Sequence, residues 1–121
     1  MLERVEPAGF WQSVTGSLRW DEAVADAAAR ELREETGLEP RGLVDAGVVR
    51  RFPIAPSWRH RYAPDVTENI EHCWYLEIPA PATIQLNPAE HLRFEWLALD
   101  AAVERASSWT NREALEALRA A

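Results

Sequence analysis

The chain has 121 residues, 47% hydrophobic and 27% charged, the makeup of one small globular domain and too short for two. Thirteen Arg and no Lys stand against 20 acidic residues, a net charge of −7. That balance argues against a general nucleic-acid binder, whose affinity rests on neutralising phosphates, and the missing Lys excludes Schiff-base chemistry and a Walker-type phosphate lysine. No run approaches the roughly 20 apolar residues of a membrane span. Met1-Leu2-Glu3-Arg4 lacks the apolar stretch of a secretory signal. The single thiol, Cys73, excludes an internal disulfide, so a cytoplasmic protein is expected.

Taken in chain order, the first strong element is a helix from about Glu22 to Thr36, roughly 22 Å long. Asp21 is its expected N-cap, and Gly37 sits at the C′ position where a left-handed residue ends helices. Ala25, Ala28, Ala29 and Leu32 are expected to form its packing face. Leu43 to Phe52 reads as a strand. Residues 53–67 read as a long loop punctuated by Pro53, Pro56 and Pro64. Ile70 to Ile78 is a second strand, with Ile70, His72, Trp74, Leu76 and Ile78 on one face. Arg93 to Leu97 is a third. Asp100 is expected to cap a short helix to about Arg105, and Asn111 a final helix over 112–120 with Ala114, Leu115 and Leu118 as its stripe. Strands that precede and separate helices predict a sheet with helices packed on it.

The chemistry concentrates on the first helix. Glu31, Glu34 and Glu35 stand at i, i+3 and i+4, where like charges repel and cost helix stability. Hard divalent cations bind such oxygens together with phosphates and water. Three clustered Glu alone read more readily as a solvated face balanced by Arg30 and Arg33. The flanking residues reverse that. Gly16, five residues, Glu22, seven residues, then Arg30-Glu31-Leu32-Arg33-Glu34-Glu35-Thr36-Gly37-Leu38 match nine fixed positions over 23 residues.

This pattern resembles the Nudix box, and the chain is identified as a member of the Nudix hydrolases. The resemblance implies an α/β (α+β) Nudix fold, a mixed β-sheet sandwiched between helices, in a single domain over 1–121. It implies hydrolysis of a nucleoside diphosphate linked to another moiety, with Mg²⁺ or Mn²⁺ bound by Glu31, Glu34 and Glu35. Arg30 would orient a carboxylate. Glu22, Gly16 and Gly37 would support the loop–helix–loop. Met1 to Arg4 looks like the end of a leading strand, so the chain reads as short at its N-terminus, with an uncovered sheet edge and marginal stability as the expected consequences.

A narrower resemblance runs from about Phe10 to Leu118, on Phe10-Trp11-Gln12-Ser13-Val14-Thr15-Gly16-Ser17, the segment Arg59 to Asn69, Glu90-His91-Leu92 and Ser108-Trp109-Thr110-Asn111-Arg112. These are similar to bacterial enzymes that cut dihydroneopterin triphosphate to the monophosphate and pyrophosphate in folate biosynthesis. Two alternatives stay open: a pyrophosphohydrolase of dATP and other nucleoside triphosphates, and a non-catalytic nucleotide-binding protein or inactive fragment. The partner is then a small triphosphate rather than nucleic acid or a membrane, and a homo-oligomer is left open. Glu90 is implied as a catalytic base, with Glu34 its rival. Arg4, Arg59 and Arg61 are candidates for the triphosphate, because Arg forks match phosphate oxygens; Arg50, Arg51 and His60 belong to the same basic region. Trp11, Trp58 and Tyr62 could stack on a flat heterocycle. His60, His72 and His91 lack metal spacing and read as structural; Trp20, Trp74, Trp96 and Trp109 read as packing residues, and Cys73 as a buried inert thiol.

Overall fold

The structure, a computed structural model, describes residues 1–56, 60 and 62–120. In chain order the elements are β1 (Leu2–Arg4), β2 (Trp11–Gln12), α1 (Val24–Thr36), β3 (Val44–Pro53), β4 (Glu68–Tyr75), β5 (His91–Phe94), α2 (Leu99–Arg105) and α3 (Trp109–Ala120). The helices and strands expected from the sequence are all present. Their caps and faces differ in ways that matter for the site.

Helix α1 begins two residues later than expected, after an extended Ala23 that makes no side-chain cap. Asp21 is not the cap. It takes a left-handed φ of 60°, a conformation Asp tolerates better than most residues, and turns the chain so that Glu22 reaches back to Arg30. At the other end Gly37, at φ 74°, closes the helix by donating its N–H to the Arg33 carbonyl at 2.9 Å. The covered face runs through Ala27, Leu32, Glu35 and Thr36, whereas Ala25 is exposed. The inward face of α1 is therefore the one that carries Glu35, not a plain stripe of alanines.

The strands form two antiparallel sheets, β2-β1-β5 and β3-β4, rather than one mixed sheet. The three residues of β1 pair on both sides, with Leu2 opposite Gln12 and Phe94, and Arg4 opposite His91 after a register shift between Glu3 and Arg4. Among the described strands, β3 and β4 pair only with each other, from Val44 opposite Tyr75 to Pro53 opposite Glu68. On β4 the better covered positions are Asn69, Glu71, Cys73 and Tyr75, because α3 lies against that side; Ile70 and His72 of the alternate set are exposed. The Tyr75 hydroxyl donates to the Ala114 carbonyl at 3.0 Å, Arg50 bridges to Glu113 at 2.9 Å, and Phe52 meets Trp109 edge-on at 5.8 Å.

Helices α2 and α3 pack on each other. Asn111 does not cap α3 but lies buried within its first turns, where its Oδ1 accepts the Ser13 N–H at 2.9 Å. Asp100 makes no cap to α2 and pairs instead with Arg119 at 2.9 Å. Small apolar side chains make the core: Leu2, Ala27, Leu32, Ile84, Ala102 and Val103 are among the buried ones. Trp20 is 93% exposed, contrary to the expectation of a packing residue. Trp96 and Trp109 are half-exposed. Between the two sheets, α1 and α3 lies an open cavity of about 1610 Å³.

Candidate active site

The site forms where the inward face of α1 meets the start of β5 and the end of β1. Glu35, only 2% exposed, projects from α1 into this corner. Ligand atoms of Glu35, Glu90 and His91 lie within 4.8 Å of one another. Glu90 is exposed and enters from the turn before β5, held where its carbonyl accepts the Val5 N–H at 2.9 Å. The bulge in β1 places Arg4 against this same corner, close enough that its charge acts on both Glu35 and His91. Arg4, Glu31, Glu35, Glu90 and Tyr62 all line the cavity.

A clamp built on Arg30 holds the other carboxylates. Its guanidinium donates to both oxygens of Glu22 at 2.8 and 2.9 Å, to Glu31 at 2.7 Å, to Glu34 at 3.2 Å and to the Ser17 carbonyl at 2.8 Å. Such a planar fork spans several oxygens at once, which a lysine could not do. The result is a fixed loop–helix junction: Ser17 and Glu22 at its entry are tied to the middle of α1. Gly16 completes it sterically, because a side-chain carbon there would overlap the Glu31 carboxyl. Glu31 thus points inward along a path that only glycine leaves open.

Glu34 stands apart. Its side chain is 47% exposed and bonds to Arg19 and Arg30 at 3.2 Å each, outside the cluster around Glu35. Trp11 carries the Arg105 guanidinium 4.7 Å over one face of its ring. The Tyr62 hydroxyl accepts from Asn69 at 3.2 Å. Trp58, Arg59 and Arg61 lie outside the described residues.

The electrostatics separate the carboxylates by role. Burial, then the neighbouring charges of Glu31 and Glu90, push Glu35 up to about 8, against the opposing pull of the Thr15 N–H and Arg4. Its Oε2 is buried without a hydrogen-bond partner. Arg30 does the opposite to Glu22, holding its carboxyl down at about 2 with help from the Arg19 N–H. Burial lowers the His91 imidazole below its usual value, so the ring is neutral near pH 7. A corner that keeps one carboxyl protonated through burial, with an orphaned oxygen, fits a hard divalent cation: Glu35 and Glu90 offer carboxylate oxygens, and a cation would satisfy Oε2.

Arg19, Gln12 and His91 are the site residues that sequence reasoning missed. Arg19 lies in the box loop, where spacing fixes no side-chain role. Gln12 and His91 meet only because β2 and β5 flank β1, a pairing that no linear spacing reports. The one available signal was that His91 directly follows Glu90.

Residues 1–118 match the NUDIX domain. The chain is 41% identical to the dihydroneopterin triphosphate diphosphatase of Escherichia coli K12, across 96% of this chain and 79% of that protein. It is 38% identical to the Haemophilus influenzae protein of the same name, across 96% of this chain and 75% of that one. The solved structure of the E. coli dihydroneopterin triphosphate pyrophosphohydrolase superposes with a TM-score of 0.88 at 40% identity, covering 96% of this chain and 81% of that one. With Glu22, Arg30, Glu31, Glu34 and Glu35 standing on one loop–helix unit around a carboxylate corner, the chain belongs to the Nudix hydrolase family.

Proposed function

We propose that the chain hydrolyses dihydroneopterin triphosphate to dihydroneopterin monophosphate and pyrophosphate, with Mg²⁺ (or Mn²⁺) as cofactor, in the reducing cytoplasm that its single free thiol suits. The observation that carries this is the likeness to two pterin triphosphate diphosphatases at 38 and 41% identity across 96% of the chain. The carboxylate corner on the wall of a large cavity supports it.

Glu35 and Glu31 are the ligands best placed for the cation; Glu34 is the further ligand candidate, turned toward Arg19 and Arg30. When bound, the cation neutralises phosphate charge and acidifies water beside it. Glu90 is the better supported base, because it is exposed to the cavity and its carboxylate reaches the Glu35 corner, so it can take the proton that the attacking water gives up. One water then adds across the anhydride between the α and β phosphorus atoms, and that P–O bond breaks to leave pyrophosphate. Arg4, on the cavity wall, is a candidate to meet phosphate oxygens, with Arg59 and Arg61 as further candidates. A triphosphate brings about four negative charges, more than one cation offsets, so guanidinium partners make physical sense. Tyr62 on the cavity wall is the candidate for stacking on the pterin ring; Trp11, expected beside it, is not among the cavity-lining residues and carries Arg105 over its ring.

The test is pyrophosphate release from dihydroneopterin triphosphate and dATP side by side, with Mg²⁺ and with EDTA. Mg²⁺-dependent release favouring the pterin is expected. A dATP preference would move the chain to nucleotide-pool hydrolysis, and no release from either would overturn the pyrophosphohydrolase reading in favour of a non-catalytic nucleotide-binding protein or an inactive fragment.

A further inference from the structure

Behind the carboxylate corner runs a buried polar chain that the hydrolysis itself does not use. Gln12 on β2 is 4% exposed and His91 on β5 is 1% exposed. The two strands flank β1, which brings the Gln12 Nε2 to 3.2 Å from the His91 Nε2. An amide nitrogen only donates, so the His91 Nε2 accepts and carries no proton, which leaves the ring proton on Nδ1. That Nδ1 has no hydrogen-bond partner and stands 3.8 Å from the Glu35 Oε1. The Glu35 Oε2, on the other side of the same carboxyl, is buried and unpartnered as well.

We infer that Gln12 and His91 are a positioning pair for Glu35: the Gln12 amide fixes the His91 tautomer, and the His91 Nδ1–H faces Glu35 Oε1 so that Oε2 is left for the cation. This rests on reading Glu35 as a metal ligand. The geometry distinguishes the role from direct coordination. A coordinating Nδ1 needs a free lone pair, and in the tautomer that Gln12 imposes the proton occupies it. A movement of about 0.8 Å closes the His91–Glu35 distance to an ordinary N–H···O bond. Outer partners of this kind orient ligands, and their loss weakens metal affinity by about 10–100-fold.

The tautomer can be read without metal or substrate. Long-range ¹H–¹⁵N spectra of the metal-free chain separate protonated from bare ring nitrogens, and His91→Asn assigns the signal by its disappearance. The expected result is a His91 ring with Nδ1 protonated and Nε2 bare, unchanged when Mg²⁺ is added. A proton on Nε2, a doubly protonated ring, or loss of the Nδ1 proton on Mg²⁺ addition would overturn the inference.

Mn²⁺ binding, followed by electron paramagnetic resonance without substrate, tests the consequence. His91→Phe keeps a ring of similar bulk without a donor and is expected to bind about 10–100-fold more weakly. His91→Asn places an amide nitrogen where Nδ1 was and is expected to recover most of that loss. Wild-type affinity in His91→Phe, or no recovery in His91→Asn, would refute the positioning role. Unchanged Mn²⁺ affinity in Glu35→Gln would instead sink the ligand reading itself, whatever the tautomer.

Discussion

Glu35→Gln should stabilise the metal-free chain, and by an amount that depends on pH. In the unfolded chain this carboxyl ionises near 4.5, while in the fold it is pushed up to about 8. A carboxyl raised on folding supports the folded state fully below pH 4.5, and that support is lost as the pH rises through 8. At pH 7 the unfolded chain gains about 3.4 kcal/mol from ionising Glu35 and the folded chain almost nothing. At pH 5 the gap shrinks to about 0.8 kcal/mol. A glutamine cannot ionise, so it removes the whole penalty. Its own costs, such as placing two amide hydrogens in a buried corner, do not vary with pH and cancel in the comparison. The difference between the two pH values is therefore about 2.5 kcal/mol, within a net stability of about 5–15 kcal/mol for a typical domain. The assay is urea unfolding of wild type and Glu35→Gln with metal removed, at pH 5 and pH 7. The same variant should lose at least about a few hundredfold in Mg²⁺-dependent turnover, because a ligand is gone. An equal stability change at both pH values, or a larger loss at pH 7 than at pH 5, would refute the argument that Glu35 is held protonated by its surroundings.

Metal affinity should follow the same titration with the sign reversed: a cation needs the ionised carboxylate, so Mn²⁺ binding is expected to strengthen by up to about tenfold per pH unit below 8 and to level off above it, as calorimetry would show. Carboxyl ¹³C titration of the metal-free chain should place Glu22 near 2 and Glu35 near 8; similar midpoints for the two would contradict the Arg30 clamp. Gly16→Ala puts a methyl group into the Glu31 carboxyl, so turnover should fall by about tenfold or more while the melting temperature, measured by circular dichroism, moves little. Arg30→Lys keeps a charge but cannot span Glu22, Glu31, Glu34 and the Ser17 carbonyl together; metal affinity about 10–100-fold weaker is expected, and wild-type affinity would show that the clamp does not position ligands.

The parts of this site that were legible in the sequence are those fixed by local geometry. The i, i+3, i+4 spacing of Glu31, Glu34 and Glu35 follows from the helical period, and Gly37 had to end the helix where it does. The same period could not say which side of α1 faces inward. The apolar count favoured Ala25, Ala28, Ala29 and Leu32, yet the covered face turns to include Glu35 and Thr36 and leaves Ala25 in solvent. Caps failed for a related reason. Asp21 and Asn111 are both good capping residues, but Asp21 serves the turn that delivers Glu22 to Arg30, and Asn111 is taken by the Ser13 N–H. Tertiary partners outbid local propensity in both cases. The meeting of Gln12 and His91 was beyond reach, since it depends on strand order across β1.

The misjudged inward face of α1 has its origin in the site. Burying Glu35 costs stability that an apolar residue at that position would not, and the sequence-level expectation of an apolar inward face is the expectation for a helix that only packs. Glu22, by contrast, satisfies its charge within the chain, through Arg30, and its carboxyl falls to about 2. Glu35 has no guanidinium on its free oxygen, so its ionisation waits for a charge from outside. Two carboxylates of one loop–helix unit, Glu22 just before α1 and Glu35 near its end, are thereby divided into one that builds the scaffold and one left poised for a ligand. The division is made by which of them Arg30 can reach: from the middle of α1 its fork spans Ser17, Glu22, Glu31 and Glu34, and Glu35, one residue further round the helix, lies on the side that the fork does not cover.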